Sequence, residues 1–139
     1  MFFGTIPTNL FLLYEGMGDF NVVWDWQERR WFLIGSKLRG AVSYDPSARA
    51  ESWLKWDGSN FTRKNFIDES EVFRDVENRT LPRGEHPSLH WNRFLRQWIM
   101  VWNGYNGKIY ITSAHRLPLF QRARVLIRKT TKTQVNKLL

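Results

Sequence analysis

Residues 85–103 read EHPSLHWNRFLRQWIMVWN, and they restate residues 18–36, GDFNVVWDWQERRWFLIGS, after an interval of 67 positions. Trp24-Asp25 falls on Trp91-Asn92, Arg29 on Arg96 and Trp31 on Trp98, so the shared pattern is W-[DN]-x-x-x-R-x-W. Self-similarity at a fixed interval marks a repeat architecture and is read before any single element. Each copy reads as strand, turn, strand. Val22-Val23-Trp24 and Leu89-His90-Trp91 supply β-branched, apolar and aromatic side chains that suit a pleated surface. Asp25 and Asn92 open the turns, because a short polar side chain can hydrogen-bond the backbone just ahead of it. Trp31-Phe32-Leu33-Ile34 and Trp98-Ile99-Met100-Val101-Trp102 are near-continuous apolar runs, which predict strands buried on both faces.

Working outward, a third strand follows in each copy: Gly40-Ala41-Val42-Ser43-Tyr44 in the first and Lys108-Ile109-Tyr110-Ile111-Thr112-Ser113 in the second. The latter is reached through Asn106-Gly107, a pair that readily takes the positive φ angles of a tight hairpin. Ser52-Trp53-Leu54-Lys55-Trp56 and Ala123-Arg124-Val125-Leu126-Ile127-Arg128 complete the sets, with Asp57-Gly58 closing the former and leading to Phe61. Four antiparallel strands in about 45 residues is the content of one propeller blade. No helical period of comparable strength occurs. The expectation is an all-β chain forming part of a β-propeller. Residues 1–14 read as a strand segment of a preceding blade, 15–61 as the first blade and 62–83 as a polar connection with a short strand near Val72-Phe73. Residues 84–128 read as the second blade and 129–139 as a basic tail.

Composition narrows the classes. The chain is 42% hydrophobic and 16% aromatic with 8 Trp, enough material for a packed core. There is no Cys, which excludes disulfides and thiolate metal sites. No stretch approaches the roughly 20 apolar residues of a membrane-spanning helix, and no membrane partner is expected. Met1–Tyr14 lacks a basic n-region and contains Pro7 and Asn9, unlike a signal peptide. The net charge of +8 is unevenly spread: residues 1–85 hold 11 Lys/Arg against 13 Asp/Glu, and residues 86–139 hold 10 Lys/Arg and no acid. Six of those cations lie between Arg122 and Lys137. A basic tail can meet phosphate backbones, but no aromatic side chain is interleaved there to stack on bases. It reads as a solvated tail, and no nucleic-acid partner is expected.

The runs WDGSNF (56–61) and GEHPSLHWNRFLRQWIMVWNGYNGKIYITSA (84–114) resemble the five-bladed β-propeller glycoside hydrolases. These are the arabinanase, arabinofuranosidase and xylosidase-like enzymes and their uncharacterised relatives. The resemblance covers about residues 15–128, two blades of five. It implies a carbohydrate-active protein that hydrolyses or binds plant or microbial polysaccharide or oligosaccharide, secreted or periplasmic in its full-length form. A non-catalytic propeller binding saccharide or protein is the alternative. The enzymes it resembles place carboxylates at the axis-facing starts of innermost strands. One Asp serves as base or nucleophile, one Glu as general acid, and a further Asp orients the acid. The resemblance puts Asp19 in the place of the first Asp and Glu85 in that of the acid Glu. The third carboxylate and most of the sugar pocket would come from further sequence. Glycoside hydrolysis needs two carboxyl groups, about 5–5.5 Å apart when configuration is retained and roughly 6.5–9.5 Å apart when it is inverted.

Three further residues are candidates for sugar contact. His86 sits between Glu85 and Pro87 and can reach a hydroxyl; Trp26, in a hairpin turn, can stack on a ring; Tyr105 lies in the Gly104-Tyr105-Asn106-Gly107 loop. His86 and His90 would lie roughly 13 Å apart along a strand, too far to chelate one metal. The recurring Trp24, Trp31, Trp91 and Trp98 read as packing between blades. No cofactor is expected. A central calcium ion would fit the resemblance but has no ligand pattern in the sequence. Two blades cannot close a ring, so the chain is expected either to belong to a longer protein or to associate with copies of itself.

Overall fold

The computed structural model describes residues 20–63 and 70–128. The expected strand at 1–14, Asp19 and the tail from residue 129 lie outside the described residues. The protein is all-β, built of two antiparallel sheets whose strands lie in chain order. The first comprises β1 (Asn21–Asp25), β2 (Arg30–Gly35), β3 (Arg39–Ser43), β4 (Trp53–Trp56) and β5 (Phe61–Arg63). The second comprises β6 (Gly84–Asn92), β7 (Gln97–Gly104), β8 (Lys108–Ala114) and β9 (Arg124–Arg128).

The repeat extends into backbone detail. Trp24 faces Trp31 across the β1–β2 hairpin and Trp91 faces Trp98 across β6–β7. Both pairs meet edge to face, with ring centroids 5.2 and 5.5 Å apart. The last residues of the two turns, Arg29 and Arg96, both sit in the left-handed region at φ 52° and 54°. Each turn is organised by the polar side chain before it. Asp25 accepts from the Glu28 amide at 3.4 Å, and Asn92 from the Phe94 and Leu95 amides at 3.0 and 2.8 Å.

Two elements differ from expectation. Beyond Trp56 the chain turns back as a fifth strand, with Phe61 opposite Trp56 and Arg63 opposite Lys55. The turn is held by Asp57 Oδ1, which accepts from the Ser59 and Asn60 amides at 2.8 Å each, and by Gly58 at φ 106°. The strand expected near Val72-Phe73 is reduced to a single bridge between Arg74 and Thr80. Phe73 there serves as filling and is fully buried.

The two sheets stack head to tail. The face of the first sheet carrying Phe32, Ile34 and Val42 shares one buried cluster with Leu89, Trp98, Met100 and Trp102 of the second. The 67-residue interval maps Phe32 and Ile34 onto Ile99 and Val101, and Leu33 onto Met100. Unlike faces therefore meet. The other face of the first sheet carries Leu33, Ala41 and Trp53, all buried in a separate cluster. The other face of the second sheet carries Ile99, Val101 and Ile111, which are only half-buried. The run 98–102 was expected to be buried on both faces, yet its burial alternates. Among the described residues, no sheet covers that second face.

The sheets approach each other most closely where β6 passes β1, β2 and the tight turn Ser36–Leu38. The Leu89 amide donates to Asn21 Oδ1 at 2.6 Å. Gln27 ties the far end, accepting from the Trp98 indole N–H at 2.9 Å and donating to the His115 carbonyl at 2.8 Å. Toward the later strands the gap is filled by Phe73, Leu81, Leu117 and Phe120. Phe73 lies 5.7 Å from both Phe32 and Phe120 and 5.4 Å from Trp56, centroid to centroid. The stack is a wedge, narrow at β1 and β6.

Candidate functional site

The start of β6 is shaped by close backbone approach. A Cβ added at Gly84 would collide with the Asn103 carbonyl and come within 2.6 Å of the Trp102 ring. Glu85 then pairs with Asn103, and the next paired residue is Ser88, opposite Val101. His86 and Pro87 thus stand together opposite Trp102, a β-bulge with His86 at φ 53°. A bulge bends its strand and re-aims the side chains beside it. Here it leaves His86 exposed and Glu85 half-buried at the end of the sheet.

The β7–β8 turn brings Tyr105 to the same place. Gly107 takes φ 76°, and Asn106 braces the loop by accepting from the Lys108 amide at 3.2 Å and donating to the Tyr110 hydroxyl at 2.6 Å. The Tyr105 hydroxyl donates to Glu85 Oε1 at 3.4 Å, a long hydrogen bond. Its pKa is raised above the ordinary phenol value, first by lost solvation and then by the Glu85 carboxylate. The nearby Arg83 and Arg39 cations act in the opposite sense. Glu85, Tyr105, His86 and two guanidinium groups therefore gather at one end of the second sheet. A carboxylate beside a phenol offers an acceptor and a donor within one hydroxyl-sized span.

Trp26 is elsewhere. It packs edge to face on Trp91 with centroids 5.3 Å apart. Trp91 lies six positions down β6 from Glu85, roughly 20 Å along an extended strand. The structure thus groups Glu85, His86 and Tyr105 and separates them from Trp26. Asp19 falls outside the described residues. Among the described residues, no cluster of three or more His, Asp or Glu side chains forms a metal site.

Sequence reasoning missed a buried ionic network at the opposite end. Asp25 is fully buried and accepts from Arg30 Nε at 3.0 Å. Arg30 also donates to the Tyr44 hydroxyl at 3.2 Å and to the Leu117 carbonyl at 3.0 Å. Its guanidinium lies 5.1 Å from the Phe61 ring centroid. The repeat places Asn92 opposite Gln97 at the matching positions, so the charged version belongs to the first sheet. The signal was available: in a four-residue hairpin turn the flanking residues, 25 and 30, must pair. No protein family and no curated protein matches this chain.

Proposed function

We propose that the two sheets are successive blades of a β-propeller in a glycoside-hydrolase-like, carbohydrate-active protein. In this reading Glu85 is the general acid, and Tyr105 and His86 contact the sugar. The observation that carries it is the half-buried Glu85 hydrogen-bonded to Tyr105 at the start of β6, the strand on the narrow side of a head-to-tail stack. Head-to-tail packing of repeat-related sheets supports the propeller, because the uncovered Ile99–Val101 face is equivalent to the Phe32–Ile34 face that already carries a sheet. Hydrolysis then needs a second carboxylate across the glycosidic bond. Asp19, which the resemblance puts in the place of the first Asp, is the proposed base or nucleophile. Glu85 would protonate the departing oxygen, and the Tyr105 hydroxyl would steady its carboxylate once that proton is given up. Trp26 has no part in this site.

The test is sugar release from arabino- and xylo-oligosaccharides by the full-length protein carrying Glu85→Gln. Loss of the acid lowers kcat by about 10²–10⁴-fold on natural substrates. The loss is smaller on aryl glycosides whose leaving group needs no proton. Wild-type turnover of oligosaccharides by Glu85→Gln would refute the assignment. A non-catalytic saccharide-binding propeller is the second reading. It is favoured by the fact that, among the described residues, Glu85 is the single carboxylate acting on Tyr105. Retained glycan binding with no turnover in wild type selects it.

A further inference from the structure

Away from Glu85, the two stacked sheets leave a lateral cleft of about 740 Å³ between the later strands of the first sheet and the loops 74–78 and 116–119. That volume lies in the range of small-molecule sites, roughly 300–1,000 Å³. We infer that this cleft is a separate binding site for a neutral oligosaccharide.

One side of the cleft is aromatic. Tyr44 is exposed, Phe61 and Trp56 are half-buried, and the latter two rings lie 4.8 Å apart. Rings of this kind accept the apolar C–H face of a sugar. The floor is Arg30, itself 7% exposed. Its links to Asp25, Tyr44 and Leu117 use three of its five N–H groups. The guanidinium also lies 6.0 Å from the Tyr44 ring centroid and 5.1 Å from that of Phe61. The base of the cleft is therefore fixed in place before any ligand arrives, which lowers the ordering cost of binding.

The other side is polar and balanced. Arg116 donates to Glu28 at 3.1 Å, and Arg74 donates to the Asn78 carbonyl at 3.0 Å. The lining holds the Arg30, Arg74 and Arg116 guanidinium groups together with the Glu28 and Asp75 carboxylates, and Asp25 pairs with Arg30 from behind. Positive and negative charges cancel, so the cleft has no net field to select an anion. Mixed donors and acceptors opposite aromatic faces suit a ligand that is uncharged, dense in hydroxyls and apolar on one face. A saccharide has that chemistry. The cleft lies between sheets that are already packed, so a further sheet added to an outer face leaves it open. The inference stands independently of the role of Glu85.

The test is NMR titration of the 139-residue chain with xylo-, arabino-, cello- and galacto-oligosaccharides, observing the Arg30 Nε–H and Trp56 indole signals. At least one sugar class is expected to shift both. Tyr44→Ala should weaken that binding about tenfold, the scale of one lost ring contact. Glu85→Gln, at the far end of the second sheet, should leave it within about twofold. Unchanged Trp24 and Trp98 signals report an intact fold. If Tyr44→Ala disturbs them, Arg74→Gln, on an exposed side chain, repeats the test. The inference is overturned if no sugar moves these signals, if Tyr44→Ala and Arg74→Gln leave binding unchanged, or if inorganic phosphate shifts them and sugars do not.

Discussion

Substituting the repeat-matched residues Ile34 and Val101 by Thr separates a covered face from an uncovered one. Ile34 is fully buried under the second sheet. Ile34→Thr removes about two carbons' worth of apolar burial, near 0.8 kcal/mol each. It also places a hydroxyl where no water reaches, at about 1–3 kcal/mol. The expected loss is about 3–4 kcal/mol, a large share of the 5–15 kcal/mol typical of a domain. Val101 occupies the matching position on the half-buried face of the second sheet. Val101→Thr exchanges one methyl for a hydroxyl that can reach water, so the loss is under about 1 kcal/mol. Urea unfolding followed by Trp fluorescence measures both. Equal losses, within about 0.5 kcal/mol, would refute the head-to-tail reading. In a longer protein with a third sheet over Val101, its substitution should rise toward the cost at Ile34.

Arg30→Met strands a fully buried Asp25 and should cost about 3–5 kcal/mol. The double substitution Asp25→Asn with Arg30→Gln installs the pair found at Asn92 and Gln97 and should recover most of that loss in the same unfolding assay. Lost solvation, and next the Glu85 carboxylate, raise the Tyr105 phenol above its ordinary pKa. Glu85→Gln should therefore lower its midpoint in an ultraviolet phenolate titration, and an unchanged midpoint counts against the contact. Asp45 accepts from Arg49 Nε at 2.6 Å and from the Ser47 amide and hydroxyl at 3.0 and 2.8 Å, which holds its carboxyl down from 3.8 to about 2. Because its folded pKa is depressed, the loop order it supports is full above pH 3.8 and is lost as pH falls through about 2. The Ser47 amide shift should follow that fall, and a transition centred at the ordinary carboxylate value would contradict the geometry.

The strands were legible because their signals are local. Asp25, Asn92 and Asn106-Gly107 each act within four residues, and the 67-residue interval shows that the same hairpin occurs twice. β5 was not legible, since three residues after Asp57-Gly58 carry too little pattern to separate a strand from a loop. The alternating burial of 98–102 depends on what lies over the second sheet, which an apolar run cannot report. Glu85 and Tyr105 are each recognisable as candidates in the sequence, but their contact across 20 positions depends on the bulge at His86-Pro87. Trp26 is an exposed turn aromatic, as the sequence suggests, but its edge-to-face contact with Trp91, 65 residues away, was not legible. The lateral cleft joins side chains from well-separated segments, each ordinary by itself.

The most direct test is a set of proton–proton Overhauser contacts on the isotope-labelled chain. Contacts within hairpins, Trp24 to Trp31 and Trp91 to Trp98, are expected in any arrangement of the sheets. The decisive ones cross between sheets: the Trp26 ring to the Trp91 ring, whose centroids lie 5.3 Å apart, and the Leu89 amide to the Asn21 side chain, 2.6 Å from nitrogen to oxygen. Head-to-tail stacking predicts both sets. Hairpin contacts without the contacts between sheets would contradict it.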